Sequence, residues 1–130
     1  TLVSGAQGGF HVFINLRVEP ESDAWTTTTM FVDQTARRVA TEELVSRGPT
    51  SRVTLVESST VACAFETRRS AVLFLCPTPV GIPVAGERLR LDVRATRERG
   101  SADAITGTAE FVAVCPDGDQ HDFCVRICSG

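Results

Sequence analysis

Residues 8–18, with the sequence GGFHVFINLRV, carry the strongest periodic pattern in the chain. Apolar residues occupy every second position from Phe10 to Val18. The intervening positions hold His11, Phe13, Asn15 and Arg17. A period of two places alternate side chains on opposite faces of a strand, so the pattern predicts one continuous β-strand with one buried face.

Similar short apolar or alternating stretches recur along the rest of the chain, separated by turn-forming residues. Arg38–Val45 fits either a helical turn or a strand, and we favour the strand because its surroundings read as β. We expect a hairpin over Thr60–Cys76, a loop over Pro77–Gly86 and a hairpin joining Arg88–Thr96 to Ile105–Cys115. The remaining expected elements are strands at Trp25–Val32 and Arg52–Glu57, a turn at Asp33–Ala36, and a tail at Pro116–Gly130.

Seven or eight short strands without a long helical segment predict an all-β protein, an antiparallel β-sandwich. A length of 130 residues is typical of one domain, here taken as residues 1–130. The net charge of −3 gives no electrostatic attraction for phosphate backbones, so we expect no nucleic-acid partner. No apolar run is long enough to cross a membrane.

The basic residues are all arginine, 13 in number, and the chain contains no lysine and no tyrosine. Because lysine and tyrosine have A/T-rich codons, the simplest interpretation is a GC-rich, bacterial genome. The functional alternative is selection for arginine, whose guanidinium recognises anions through two parallel hydrogen bonds.

Two of the expected strands end in a cysteine, and the tail contains two more. Cys76-Pro77 and Cys115-Pro116 stand at strand ends, and the tail adds Cys124 and Cys128. With the opening strand, these features resemble bacterial extracellular immunoglobulin-like or fibronectin-III-like domains of the secreted or lipoprotein-borne type. The resemblance implies a spacer, an adhesive module or a part of a surface assembly. It departs from antibody domains because Trp25 precedes all five cysteines.

Four of the five cysteines are expected at one pole of the sandwich. The Arg88–Cys115 hairpin brings Cys115 close to residue 88, where the loop that begins after Cys76 ends. The short tail keeps Cys124 and Cys128 nearby, so two disulfides are expected, as is usual in small secreted domains. Three pairings are possible, and we favour Cys115–Cys124 with Cys76–Cys128. Cys63, on an apolar strand, is expected to be a buried free thiol.

Metal binding is the main alternative for the tail. Cys115, His121, Cys124 and Cys128 could supply the three thiolates and one imidazole of a tetrahedral zinc site. The acidic stretch Asp117–Asp122 could hold calcium, but it lacks EF-hand spacing and we interpret it as a solvated loop. His11 is expected to be half-exposed or hydrogen-bonded rather than a ligand. We expect no cofactor.

No sequence motif supports catalysis. The chain has no G-x-S-x-G motif, and its single methionine, Met30, is too far upstream for a blue-copper site. Trp25 is expected in the core. We therefore expect a secreted, non-enzymatic structural or interaction module of a cell-surface assembly, with protein partners or self-assembly and no small-molecule ligand. The run Thr26–Thr29 is a candidate edge strand for such association.

Overall fold

The computed structural model describes residues 1–5, 8–19, 29–78 and 81–130. The chain is mostly β, as expected, and its strands form two antiparallel sheets. In chain order the elements are β1 (Val3–Ser4), β2 (Phe10–Ile14), β3 (Arg17–Val18), β4 (Thr29–Arg38), β5 (Leu44–Arg47), β6 (Ser51–Glu57), β7 (Phe65–Thr67), β8 (Ala71–Cys76), β9 (Arg88–Thr96), β10 (Ile105–Val112) and α1 (His121–Cys128).

The small sheet has three strands in the order β1-β2-β8. The register of β2 against β8 shifts between Phe10 and His11, so these two consecutive residues are both buried. The expected single strand over 8–18 is wrong in extent because β2 ends at Ile14. Beyond it the N–H of Leu16 donates to Thr67 Oγ1 at 3.2 Å, and the chain enters the other sheet as β3.

The large sheet has the order β10-β9-β4-β6-β7-β3, with β5 paired to β4 beside β6. Its centre is β4, ten residues long, with strictly alternating burial from Thr29 to Ala36. The expected turn at Asp33–Ala36 is wrong. These polar residues lie mid-strand, where Asp33 and Thr35 point outward while Gln34 and Ala36 point into the core.

The chain from β5 to β6 runs antiparallel to β4 and is interrupted at Gly48-Pro49. The N–H of Gly48 donates to the carbonyl of Gln34 at 3.0 Å, which keeps the interrupted stretch against β4. The strand expected over Arg38–Val45 is wrong in its bounds, because a turn separates Arg38, the last residue of β4, from Leu44, the first residue of β5.

The expected Thr60–Cys76 hairpin is wrong. Residues 58–64 form a turn region, and β7 and β8 join different sheets: β7 pairs with β6 and β3, whereas β8 pairs with β2. Cys63 is a free thiol, as expected, but it is exposed and not buried. The reason is that it lies in this turn with φ of 58°, a left-handed conformation, and not on a strand.

The core lies between the two sheets, and its buried residues form one apolar cluster. The expected hairpin of β9 and β10 is confirmed: the two strands pair antiparallel, from Ile105 opposite Ala95 to Val112 opposite Arg88. The helix α1 was not predicted. It buries Cys124 and Cys128 on one side, and the ring of Phe123 lies 5.8 Å from that of Phe10. The expected core position of Trp25 lies outside the described residues.

Candidate functional site

The structure contains two disulfides at one pole, Cys76–Cys128 and Cys115–Cys124, the pairing favoured from the sequence. The first joins the end of β8 to the end of α1 across 52 positions of sequence. The second joins the segment after β10 to the middle of α1. All four cysteines are buried. The two links therefore hold α1 to the last residue of the small sheet and to the chain that leaves the large sheet.

Backbone hydrogen bonds reinforce the same pole. The N–H groups of Val84 and Ala85 both donate to the carbonyl of Cys128, at 2.8 and 2.9 Å. The N–H of Gly86 donates to the carbonyl of Ala113 at 2.7 Å. The two bonds from Val84 and Ala85 satisfy the carbonyl of Cys128, which stands at the end of α1 and has no partner within the helix. The pole is thus a structural clamp that joins the 81–87 loop, α1 and both sheets.

The four residues of the zinc alternative do not assemble as a thiolate site. Cys115, Cys124 and Cys128 have their sulfurs in disulfides, and Nδ1 of His121 lies 3.1 Å from the carbonyl oxygen of Pro116. Among the residues that the structure describes, no three His, Cys, Asp or Glu side chains converge as metal ligands. The Asp117–Asp122 stretch is exposed and leads into the first turn of α1.

His11 is buried, with 8% of its surface exposed, which corrects the expectation of a half-exposed side chain. The register shift beside Phe10 is the reason. The imidazole lies between two aromatic rings, 5.0 Å from Phe13 and 5.6 Å from Phe74. Its Nδ1 has no hydrogen-bond partner within the described chain. The residue works as an aromatic packing group.

The most exposed of the longer strands is β10. It forms one edge of the large sheet, and within the described chain it pairs only with β9. Seven of its eight residues are exposed, although the strand has a single charged residue, Glu110. An edge strand presents unpaired N–H and C=O groups to any chain that approaches. Natural edge strands are commonly protected by charge, proline or a bulge, and Ile105–Val112 has little of this protection.

The exposure of β10 follows from the narrowness of the small sheet. On β9 the inward residues Leu89 and Leu91 are buried, but their register partners on β10 are Phe111, only partly buried, and Ala109, which is exposed. The small sheet therefore covers the inner face of the large sheet only as far as β9. Two hollows of about 220 and 390 Å³ lie along this side of β10, bordered by Ile14 and Ala109. An added strand could pair with the backbone edge of β10, and its apolar side chains could extend the apolar inner face of the sheet.

The expected edge at Thr26–Thr29 lies outside the described residues except for Thr29. That residue begins β4 and pairs with Thr54 of β6, whereas β9 pairs with β4 only from Phe31 onwards. The sequence did not single out β10, because its alternation pairs small residues, Gly107 and Ala109, with threonines and resembles an ordinary internal strand.

Comparison with known proteins adds no relative: the chain matches no family model, no curated protein and no solved structure. No helix in the described part of the chain is long and apolar enough to cross a membrane.

Proposed function

We propose that this chain is a non-enzymatic, immunoglobulin-like β-sandwich module of a bacterial cell-surface or extracellular assembly. It associates with a second copy of itself through the free edge of β10. Its setting is oxidising, because two buried disulfides of this kind persist outside the reducing cytosol. The single observation that supports association most strongly is the eight-residue, almost uncharged and exposed edge of β10.

The proposed contact has a specific register. When two β10 strands pair antiparallel about a two-fold axis, residues facing each other must lie on the same side of the joined sheet. Centring the axis on Thr108 meets this condition. Ile105 then faces Phe111 of the second copy, Gly107 faces Ala109, and Thr106 faces Glu110. No like charges are opposed, and the apolar pairs continue the inner face of the large sheet.

Sedimentation velocity of three proteins tests the proposal. Gly107→Lys places a charge on the inner face of the edge, and a Cβ at Gly107 meets no atom within 4 Å, so the monomer accommodates it. Ala62→Lys adds the same charge at an exposed position of the 58–64 turn. This turn precedes β7, which lies far from β10 in the strand order of the large sheet. We expect wild type and Ala62→Lys to dimerise as concentration rises towards about 1 mM, since small interfaces bind weakly.

Gly107→Lys is expected to remain monomeric across that series, with a thermal unfolding midpoint close to that of wild type. A wild-type protein that stays monomeric throughout would contradict the proposal. So would equal dimerisation of all three proteins, because the contact would then lie elsewhere.

A further inference from the structure

A second surface, which we call the arginine cleft, has no residue of β10 in its lining. It is a cavity of about 720 Å³ between the β5–β6 stretch and the beginning of β8. Ser46–Pro49, Ser51–Thr54 and Arg68–Val72 line it, with Phe74 at one end. This volume is typical of ligand-binding clefts.

Four arginines dominate the charge of the cleft: Arg47, Arg52, Arg68 and Arg69. None of the described residues along its lining is acidic. Five other arginines pair with carboxylates, and those are Arg17, Arg38, Arg88, Arg90 and Arg94. Within the described residues, none of the four cleft arginines has a carboxylate oxygen within 4.0 Å.

Concentrated positive charge is notable in a protein of net charge −3. Four guanidinium groups around one concavity repel one another, and a bound anion relieves that repulsion. Each guanidinium also offers paired N–H donors that match a carboxylate. The cleft therefore favours a ligand with several negative groups.

In the part of the chain that the structure describes, a free backbone edge also faces the cleft. Consecutive residues Ser51–Thr54 line it, although their side chains alternate in direction, so their shared backbone is what borders the cavity. β6 pairs with β4 along one side, but on the other side β7 covers only Leu55–Glu57. The N–H of Arg68 closes the end of this gap by donating to the carbonyl of Thr54 at 2.8 Å.

We propose that the arginine cleft binds an extended acidic peptide. The peptide's backbone pairs with the β6 edge over Ser51–Val53, because the carbonyl of Thr54 already accepts from Arg68. This edge is about 10 Å long, and the peptide's carboxylates bind the four arginines. The strand edge favours a peptide over a sulfated glycan, which would use the charges alone. This inference does not depend on self-association, because no residue of β10 lines the cleft.

Fluorescence anisotropy with a labelled peptide of about ten residues that alternates Glu and Val tests the proposal. We compare wild type with R52Q/R69Q and with the charge-matched control R97Q/R99Q, whose arginines are exposed and lie outside the cleft. We expect salt-sensitive binding by wild type and the control, and about tenfold or greater weakening in R52Q/R69Q, because charge-assisted contacts are lost. The single variant Arg68→Gln provides an independent check should the double variant fail to fold.

Two further ligands separate the possible sources of binding. A peptide N-methylated at every residue is expected to bind at least about tenfold more weakly, because it has no backbone N–H left to donate to a strand edge. Equal binding of the methylated peptide, equal loss in both double variants, or tighter binding of a heparin-derived oligosaccharide than of the peptide would overturn the proposal. The Gly107→Lys monomer is expected to bind the peptide like wild type, so failure of one proposal is distinguishable from failure of the other.

Discussion

Gln34 is completely buried in the centre of β4, and neither atom of its side-chain amide has a hydrogen-bond partner in the described chain. Its surroundings are tight: an added Cβ at Gly48 would lie 3.2 Å from Cδ1 of Leu73 and 3.8 Å from Nε2 of Gln34. A buried amide without partners is costly because it has given up its hydrogen bonds to water.

We therefore expect Gln34→Met, which keeps the length of the side chain and removes the amide, to stabilise the fold by about 1–3 kcal/mol. Urea unfolding measures the change. Thr35→Ser, at the neighbouring outward position, serves as a control for substitution within β4. Destabilisation by Gln34→Met would show that the amide has a favourable role in the core.

Glu66 responds to pH. Hydrogen bonds from Ser58, at 2.9 Å, and from Arg17, at 3.0 Å, lower the pKa of its carboxyl. A lowered folded-state pKa contributes stability above the ordinary pKa of the carboxyl, and this contribution is lost as pH falls through the folded value. The ion pair matters to the fold because Arg17 and Glu66 are register partners that join β3 to β7.

Glu66→Gln is accordingly expected to lose less stability than wild type between about pH 5 and pH 3. Thermal unfolding at a series of pH values checks this. Glu98→Gln, which removes an exposed carboxylate from the turn before β10, is expected to keep the wild-type slope. If Glu66→Gln retains the full wild-type slope, the carboxylate makes no net contribution.

At the scale of elements, the two disulfides stabilise by different amounts. Cross-linking removes more freedom from the unfolded chain when the closed loop is longer. Cys76–Cys128 closes a separation of 52 residues, and Cys115–Cys124 closes one of 9. We expect the Cys76→Ala/Cys128→Ala variant to lose about 4 kcal/mol and the Cys115→Ala/Cys124→Ala variant about 2.5 kcal/mol.

Each double variant removes two buried sulfurs, so each controls for packing loss in the other. Denaturant unfolding under non-reducing conditions measures both. An equal or larger loss for Cys115→Ala/Cys124→Ala would contradict the loop-length account.

The elements predicted correctly from the sequence are those in which local pattern and tertiary position agree. β9 alternates cleanly, and its bounds, Arg88–Thr96, match the expectation. The strand β4 was predicted to end too early because Asp33 and Gln34 resemble a turn. In the structure, pairing with β9 and the hydrogen bond from Gly48 to Gln34 hold them extended. The helix α1 was missed because it has only eight residues, although its buried Cys124 and Cys128 stand four positions apart, a helical spacing. Its disulfides supply much of its attachment.

Part of the candidate site could also be anticipated. The meeting of four cysteines at one pole followed from where the strands end, but that argument left three pairings open, of which the favoured one is present. The arginine bias was visible in composition, but the gathering of Arg52 and Arg69 around one cleft depends on β7 and β8 entering different sheets. The exposed edge of β10 depends on how many strands the other sheet contains, which no local stretch of sequence encodes.

At the scale of the whole molecule, the two sheets are unequal in width. The small sheet has three strands, and the large sheet extends beyond it to β10. Among the described residues, no strand of the small sheet therefore covers the inner face of β10. The disulfide pole fixes α1 at the end of the sandwich and does not extend over Ile105–Val112, which stays exposed. On this ground we propose that β10 contacts a second copy of the chain.

Hydrogen–deuterium exchange of β10 at low and high protein concentration tests this claim most directly, because pairing with a second strand protects the amides of the free edge. We expect exchange in Ile105–Val112 to slow as concentration rises, while exchange in β9 stays unchanged and Gly107→Lys shows no such slowing. Exchange in Ile105–Val112 that is the same at every concentration would contradict the account.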